Sequence, residues 1–163
     1  MKITVLGVGK IKEKYWSDAI AEYSRRLGKY CTLTVTQVAD EATIEGASEA
    51  ANHQVIEKEG DRLLRELDKC SSVNTTVIAL AIKGKQLDSV EFSGKLSSLM
   101  LAGTSHIVFV IGGSLGLSER VLNRADILLS FSLMTFPHQL MRVVLLEQIY
   151  RAFRIRSGEP YHK

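Results

Sequence analysis

TTVIALAIKGKQLDSVEFSGKLSSLMLAGTSHIVFVIGG, Thr75 to Gly113, is the stretch that decides the fold. Its first eight residues, 75–82, form an apolar run of the kind found in a strand buried on both faces. Lys83-Gly84-Lys85 then reads as a turn. Residues 88–102 have helical spacing, with Val90, Leu96, Leu99 and Met100 directed inward. HIVFVIGG, 106–113, is a second buried strand running into a glycine loop. Strand, helix, strand is the unit from which parallel sheets are built.

The same alternation extends in both directions. Upstream, KITVLGVG gives a strand near 2–8. Residues 15–27 place Trp16, Ala19, Ile20, Tyr23 and Leu27 on one helical stripe that Gly28 stops. TLTVTQV, 32–38, alternates and is rich in β-branched residues, so it is a strand. Residues 43–68 read as a long polar helix with a thin stripe of Ile44, Ala47, Ala51, Val55, Leu63, Leu64 and Leu67, weakened by Gly46 and Gly60. Downstream come a short helix over 118–124 capped by Ser118 with Glu119 in its first turn, a fifth strand over 126–132, and a helix over 138–156. Strands alternate with helices five times, which makes the chain α/β with a mostly parallel sheet. Its 163 residues suit one domain. It has no repeat, linker or low-complexity segment at which to place a boundary.

Composition excludes several classes. No stretch reaches the roughly 18 to 20 apolar residues that span a bilayer, and the apolar run at the N-terminus is a strand rather than a secretory signal. Cys31 and Cys70 have no metal-ligand spacing and read as reduced, structural thiols of a cytoplasmic protein. The formal charge is only +3, but it is unevenly spread. Lys2, Lys10, Lys12 and Lys14 face only Glu13 at one end. Arg142, Arg151, Arg154, Arg156 and Lys163 face Glu147 and Glu159 at the other. Residues 40–68 hold nine acids against three bases. Basic ends suit a polyanion partner; ordinary solvated charge is the plainer alternative.

In an open parallel sheet, ligands bind beyond the carboxyl ends of the strands. Three such ends stand out: Leu80 to Lys85, the glycine loop Ile111 to Gly116, and the loop Phe131 to Phe136. Together they would wrap a nucleoside-like cofactor. Neither glycine cluster completes a dinucleotide fingerprint: Ser114 and Leu117 stand where glycines are needed in one, and Lys12 in the other. No Walker lysine pattern, zinc cluster or nucleophile elbow is present. His53 reads as exposed and His106 as structural, while His138, in the first turn of the last helix, would hold the preceding loop or act in the site. That last helix is apolar on nearly every side, which suggests burial against its own domain and against a second subunit.

The segments KITVLGVGK (2–10), VIGGSLGL (110–117), LSFSLMTFPHQLMRVVLLEQIYRAFRI (129–155) and GEPYHK (158–163) closely resemble one family. It is the bacterial SPOUT-class methyltransferases that modify a pseudouridine of 23S ribosomal RNA at N3. The likeness spans the whole chain and is weakest over 40–70. It implies a single SPOUT domain over 1–163 whose C-terminal part is threaded into a trefoil knot. It also implies a homodimer and S-adenosylmethionine as methyl donor, with no metal. Carried over by motif, the cofactor contacts fall at Leu80, Gly112, Phe131, Ser132, Leu133, Met134, Thr135 and Phe136. These are the three strand-end loops chosen above. Arg154, Tyr161 and His162 become the candidate catalytic residues: His162 and Tyr161 against the target base, Arg154 against a phosphate or the charge developing on the ring. The implied partner is the ribosome. A small nucleotide-binding oxidoreductase and a non-enzymatic RNA-binding module are the readings from other classes.

Overall fold

The computed structural model describes residues 1–161. Its elements follow one another as β1 (Lys2–Val8), α1 (Lys14–Leu27), β2 (Thr32–Val38), α2 (Glu49–Cys70), β3 (Thr75–Gln86), α3 (Ser89–Leu101), β4 (His106–Ile111), α4 (Glu119–Arg124), β5 (Ile127–Ser130) and α5 (His138–Arg156). The five strands form one sheet in the order β2-β1-β4-β3-β5, and every pairing in it is parallel.

Alternation along the strands sorts two cores. Ile3 and Val5 of β1 and Ile107, Phe109 and Ile111 of β4 face the side covered by α1, α3 and α5, where they meet Leu145, Leu146, Ile149 and Phe153. Leu6, Val8, Val108 and Val110 face the other side, against Leu63 and Leu67 of α2 and Val121 of α4. Period-2 patterning that is apolar on both faces is what a sheet covered by two helical layers demands. One polar pair is set into it: Thr4 Oγ1 and His106 Nε2 lie 2.9 Å apart and buried. His106 is structural, as expected, and His53 is exposed.

Four expectations are corrected. The polar helix does not start at 43; Gly46 takes a positive φ of 76°, and Ser48 caps the helix by accepting from the Ala51 N–H at 3.2 Å. Lys83-Gly84-Lys85 is not a turn, because β3 continues through it to Gln86. Leu80 and Lys85 both pair with Leu129, so residues 81–84 form a bulged excursion. Val90 is not inward but 51% exposed, whereas Leu96 is buried and Leu99 and Met100 pack on the core. The fourth and fifth strands are shorter than read, stopping at Ile111 and spanning only Ile127–Ser130. The last helix does occupy 138–156. It packs against both α1 and α3, so two neighbours within the chain explain much of the apolar breadth that was read as a sign of a second subunit.

Candidate functional site

The strand order sets β4, β3 and β5 side by side, so their three carboxyl-end loops share one edge of the sheet. Glycine makes two of the approaches possible. A Cβ on Gly112 would stand 2.6 Å from the backbone carbonyl carbon and oxygen of Gly116. The loop it opens folds back on itself through the Gly116 N–H, which donates to Gly113 O at 3.1 Å, and Gly116 needs its φ of +90° for that turn. A Cβ on Gly84 would stand 2.6 to 2.7 Å from the backbone of Leu128 and Leu129. Only a residue without a side chain lets the β3 excursion lie flat on β5.

The loop after β5 is held at its base and open at its tip. Phe131 packs edge-on to Phe92 at 6.4 Å. Ser130 Oγ donates to Ser132 O at 3.1 Å, and Ser132 Oγ accepts from the Met134 N–H at 2.9 Å. Beyond that turn Leu133 and Met134 are 77% and 73% exposed, and Thr135 and Phe136 are exposed too. Exposed apolar side chains on a tethered loop, beside a glycine cradle and the half-buried Leu80, fit a ligand with an apolar face and polar edges. By strand pairing, Leu80, Gly112 and the start of the 131–136 loop lie at neighbouring strand ends on this edge of the sheet.

Two groups at this edge were not foreseen. Glu59 of α2 is buried beneath Gly113; its Oε1 accepts from the Glu41 N–H at 3.0 Å, and a Cβ on Gly113 would stand 2.5 Å from Oε2. Burial pushes the Glu59 carboxyl above its usual range. The other group surrounds Arg142, which is 0% exposed. Its Nη2 donates to Val8 O and, at 2.7 Å, to Gly9 O, while Nε and Nη1 have no partner among the described residues. Burial lowers its pKa, and Asp40 opposes the shift. His138 lies beside Gly9, and burial followed by the nearby Arg142 charge keeps its imidazole below the ordinary value. Arg142 thus ties the start of α5 to the loop carrying the exposed Lys10 and Lys12. A lone arginine inside the apolar run Leu140 to Leu146 was the available signal.

Arg154 and Tyr161 lie elsewhere. Arg154 is sixteen residues beyond His138 on one helix, about 24 Å along its axis. It pairs with Glu159 at 2.8 Å and donates to Pro160 O at 3.1 Å. Tyr161 folds back along α5, edge-on to Tyr150 at 5.0 Å, with the Arg151 guanidinium 4.7 Å from its ring centre. Within one chain, then, Arg154 lies near the end of α5 away from the strand-end loops, while Tyr161 reaches back to the middle of the helix, where its hydroxyl donates to Glu147 Oε1 at 3.3 Å. His162 lies outside the described residues. Among those residues, no cluster of side chains suited to a metal ion is found and no helix is long and apolar enough to cross a membrane.

The chain matches a family described as predicted SPOUT methyltransferase over residues 1–162. It is 60% identical over 163 residues to the ribosomal RNA large subunit methyltransferase H of Bifidobacterium adolescentis, covering 100% of both chains. It is 56% identical, with the same coverage, to the protein of that name from Clostridium botulinum. A putative ribosomal RNA large subunit methyltransferase H of Methanococcus maripaludis is 53% identical, again over 100% of both chains. Among solved structures, a probable methylase family protein from Haemophilus influenzae superposes with a TM-score of 0.53 at 13% identity, covering 99% of this chain and 70% of that one. That likeness is one of fold.

Proposed function

The chain belongs to the SPOUT methyltransferase family, and from this we propose that it methylates N3 of a pseudouridine in 23S ribosomal RNA, using S-adenosylmethionine, on the assembled ribosome in the cytoplasm. The observation that carries the reading is the adjacency of Leu80, Gly112 and the 131–136 loop at one sheet edge, in a chain that matches rRNA methyltransferases over its full length.

S-adenosylmethionine, when bound, supplies an electrophilic methyl group on a sulfonium whose departure leaves a neutral thioether. The residues present fit such a ligand. The backbone around Gly112 can approach it closely, and Leu80, Leu133, Met134 and Phe136 offer apolar contact. Ser132 and Thr135 supply hydroxyls and the loop backbone supplies amides. With a good leaving group, holding donor and acceptor in line accounts for much of the rate. Arg154 would balance the charge that grows on the uracil ring as its N3 proton passes to solvent water, with Tyr161 and His162 against the ring. Lys10 and Lys12 would hold RNA phosphates.

The separation of about 24 Å along α5 gives the homodimer a catalytic reason. Pairing two protomers in opposite senses would set the tail of one against the strand-end loops of its partner. The segment from β5 into α5 would carry the trefoil knot that forms the loops into a cup.

The test is transfer of labelled methyl groups from S-adenosylmethionine to ribosomes lacking the modification, followed by mapping of the labelled nucleotide. Label on N3 of a 23S pseudouridine is the expected result. Cofactor binding without label would reassign the substrate; no cofactor binding would return the chain to a non-enzymatic RNA-binding role.

A further inference from the structure

At the end of α5 remote from the strand-end loops, α1 and α5 enclose a concavity of about 440 Å³. Four cations line it: Arg25 and Arg26 from the last turn of α1, Lys29 two residues beyond its end, and Arg154 from α5. Tyr30 and Tyr150 form its aromatic wall, their rings 6.0 Å apart and edge to face. Glu22 sits behind Arg25 and Arg26, pairing with them at 2.9 and 2.7 Å. Lys29 is exposed and makes no ion pair among the described residues, and the four cations outnumber the carboxylates of Glu22 and Glu159.

An anion already occupies part of this concavity, and it belongs to the chain. The Tyr30 hydroxyl donates to the Glu159 carboxylate, 2.9 and 3.0 Å from its two oxygens, and Arg154 Nη1 lies 2.8 Å from Glu159 Oε2. Burial and the Glu159 carboxylate push the Tyr30 hydroxyl up, so it remains a donor at neutral pH. Arginine nitrogens and a phenol converging on two oxygens, with further cations around them, is an arrangement that suits a phosphodiester at least as well as a carboxylate. Glu159 is also the residue that fastens the tail: Pro160 and Tyr161 follow it directly.

We infer that the concavity between α1 and α5 is a binding subsite for an RNA phosphodiester, in which Glu159 stands in for the phosphate until RNA displaces it. The inference rests on the proposed RNA substrate. It adds a second grip on the RNA strand, remote within one chain from Lys10 and Lys12, and links RNA arrival to release of the tail that carries Tyr161.

Two variants with opposite expected signs test it, read by co-sedimentation of the full-length protein with unmodified ribosomes across a salt series. Arg25→Ala combined with Lys29→Ala is expected to weaken ribosome binding about tenfold and to reduce the steepness of the log–log salt dependence by about 1. Glu159→Gln keeps an acceptor for Tyr30 but removes the competing charge, and is expected to tighten binding several-fold. Cofactor affinity should be unchanged in both, which also reports that they are folded. Unchanged binding and salt slope in the double variant would overturn the subsite. Weaker or unchanged binding in Glu159→Gln would overturn the stand-in role. Loss of the dimer's mass in the double variant would reassign the concavity to contact between copies of the chain and overturn the inference. Sedimentation does not depend on methyl transfer, so failure of the wild-type protein to methylate ribosomes would count against the proposed reaction and leave this subsite to be judged on binding.

Discussion

At Gly112 a single methyl group decides whether the strand-end loop can close. The atoms it would meet at 2.6 Å belong to the Gly116 backbone, which cannot swing aside as a side chain does. Gly112→Ala is therefore expected to weaken S-adenosylmethionine binding at least about tenfold, with a melting temperature only a few degrees lower; calorimetric titration yielding wild-type affinity would remove Gly112 from the site. Gly112 was legible in the sequence because paired glycines closing an apolar run have a local meaning. Arg142 was not, because its acceptors Val8 and Gly9 lie 134 and 133 residues away. Its burial invites a sharper test. Removing Arg142 takes away a buried charge but also leaves two backbone carbonyls without their donor. Arg142→Met is expected to cost about 1 to 2 kcal/mol of stability while lowering turnover, because the Val8 and Gly9 carbonyls lose the donor that fixes the loop of Lys10 and Lys12. Urea denaturation showing a loss of about 3 kcal/mol or more would make Arg142 a structural residue instead.

Elements were legible where their signals are local. Pro137 and the unbroken apolar spacing that follows it mark the start of α5. Ser118 caps α4 as read; Asp88, which the reading placed inside the helix, caps α3. The failures come from residues whose reason is tertiary. Gly84 looks like a turn glycine between two lysines, yet it stays in β3 because the β5 backbone passes against it. The site was legible in the same measure: the three loops follow from strand ends, but the distance from them to Arg154 does not, since no local pattern says which end of α5 meets the cofactor. Deleting residues 161–163 removes Tyr161 from its packing on Tyr150 and Arg151 but alters none of Leu80, Gly112 or 131–136 themselves. Cofactor affinity is expected to stay within about twofold of wild type while methyl transfer falls below detection; undiminished turnover by the truncated protein would eliminate the tail from catalysis.

For the whole molecule, periodicity announces a parallel α/β sheet but not the order β2-β1-β4-β3-β5, which depends on pairings made across more than a hundred residues, such as Lys2 with His106. That pairing also sets the response to acid. His106 is buried against Thr4, and burial first, then the Lys2 charge, lowers its pKa; His138 is lowered by burial and by Arg142, with Asp40 and Glu13 pulling the other way. Both imidazoles therefore stay neutral in the folded protein at pH values where an unfolded chain, with histidines titrating near 6.5, already binds protons. Between the unfolded value and the lower folded ones the unfolded state binds more protons, so stability falls as pH falls through that window and is insensitive to these groups above it. Glu59 acts in the opposite sense, since its raised pKa makes the folded state the better proton binder above the ordinary carboxyl value. The histidine contribution is separable by substitution. Melting temperatures taken from pH 7.5 to 5.5 are expected to drop for the wild-type protein and to drop less for His106→Gln and His138→Gln, with the two substitutions together giving the flattest profile. Gln at 106 keeps a polar partner for Thr4 Oγ1, so its neutral-pH stability should remain close to wild type. An unaltered acid slope in the double variant would place the acid sensitivity of the fold in its carboxylates, chiefly Glu41 paired with Arg62 and Glu22 paired with Arg25 and Arg26, whose lowered pKa values lose their stabilising effect only at more acid pH.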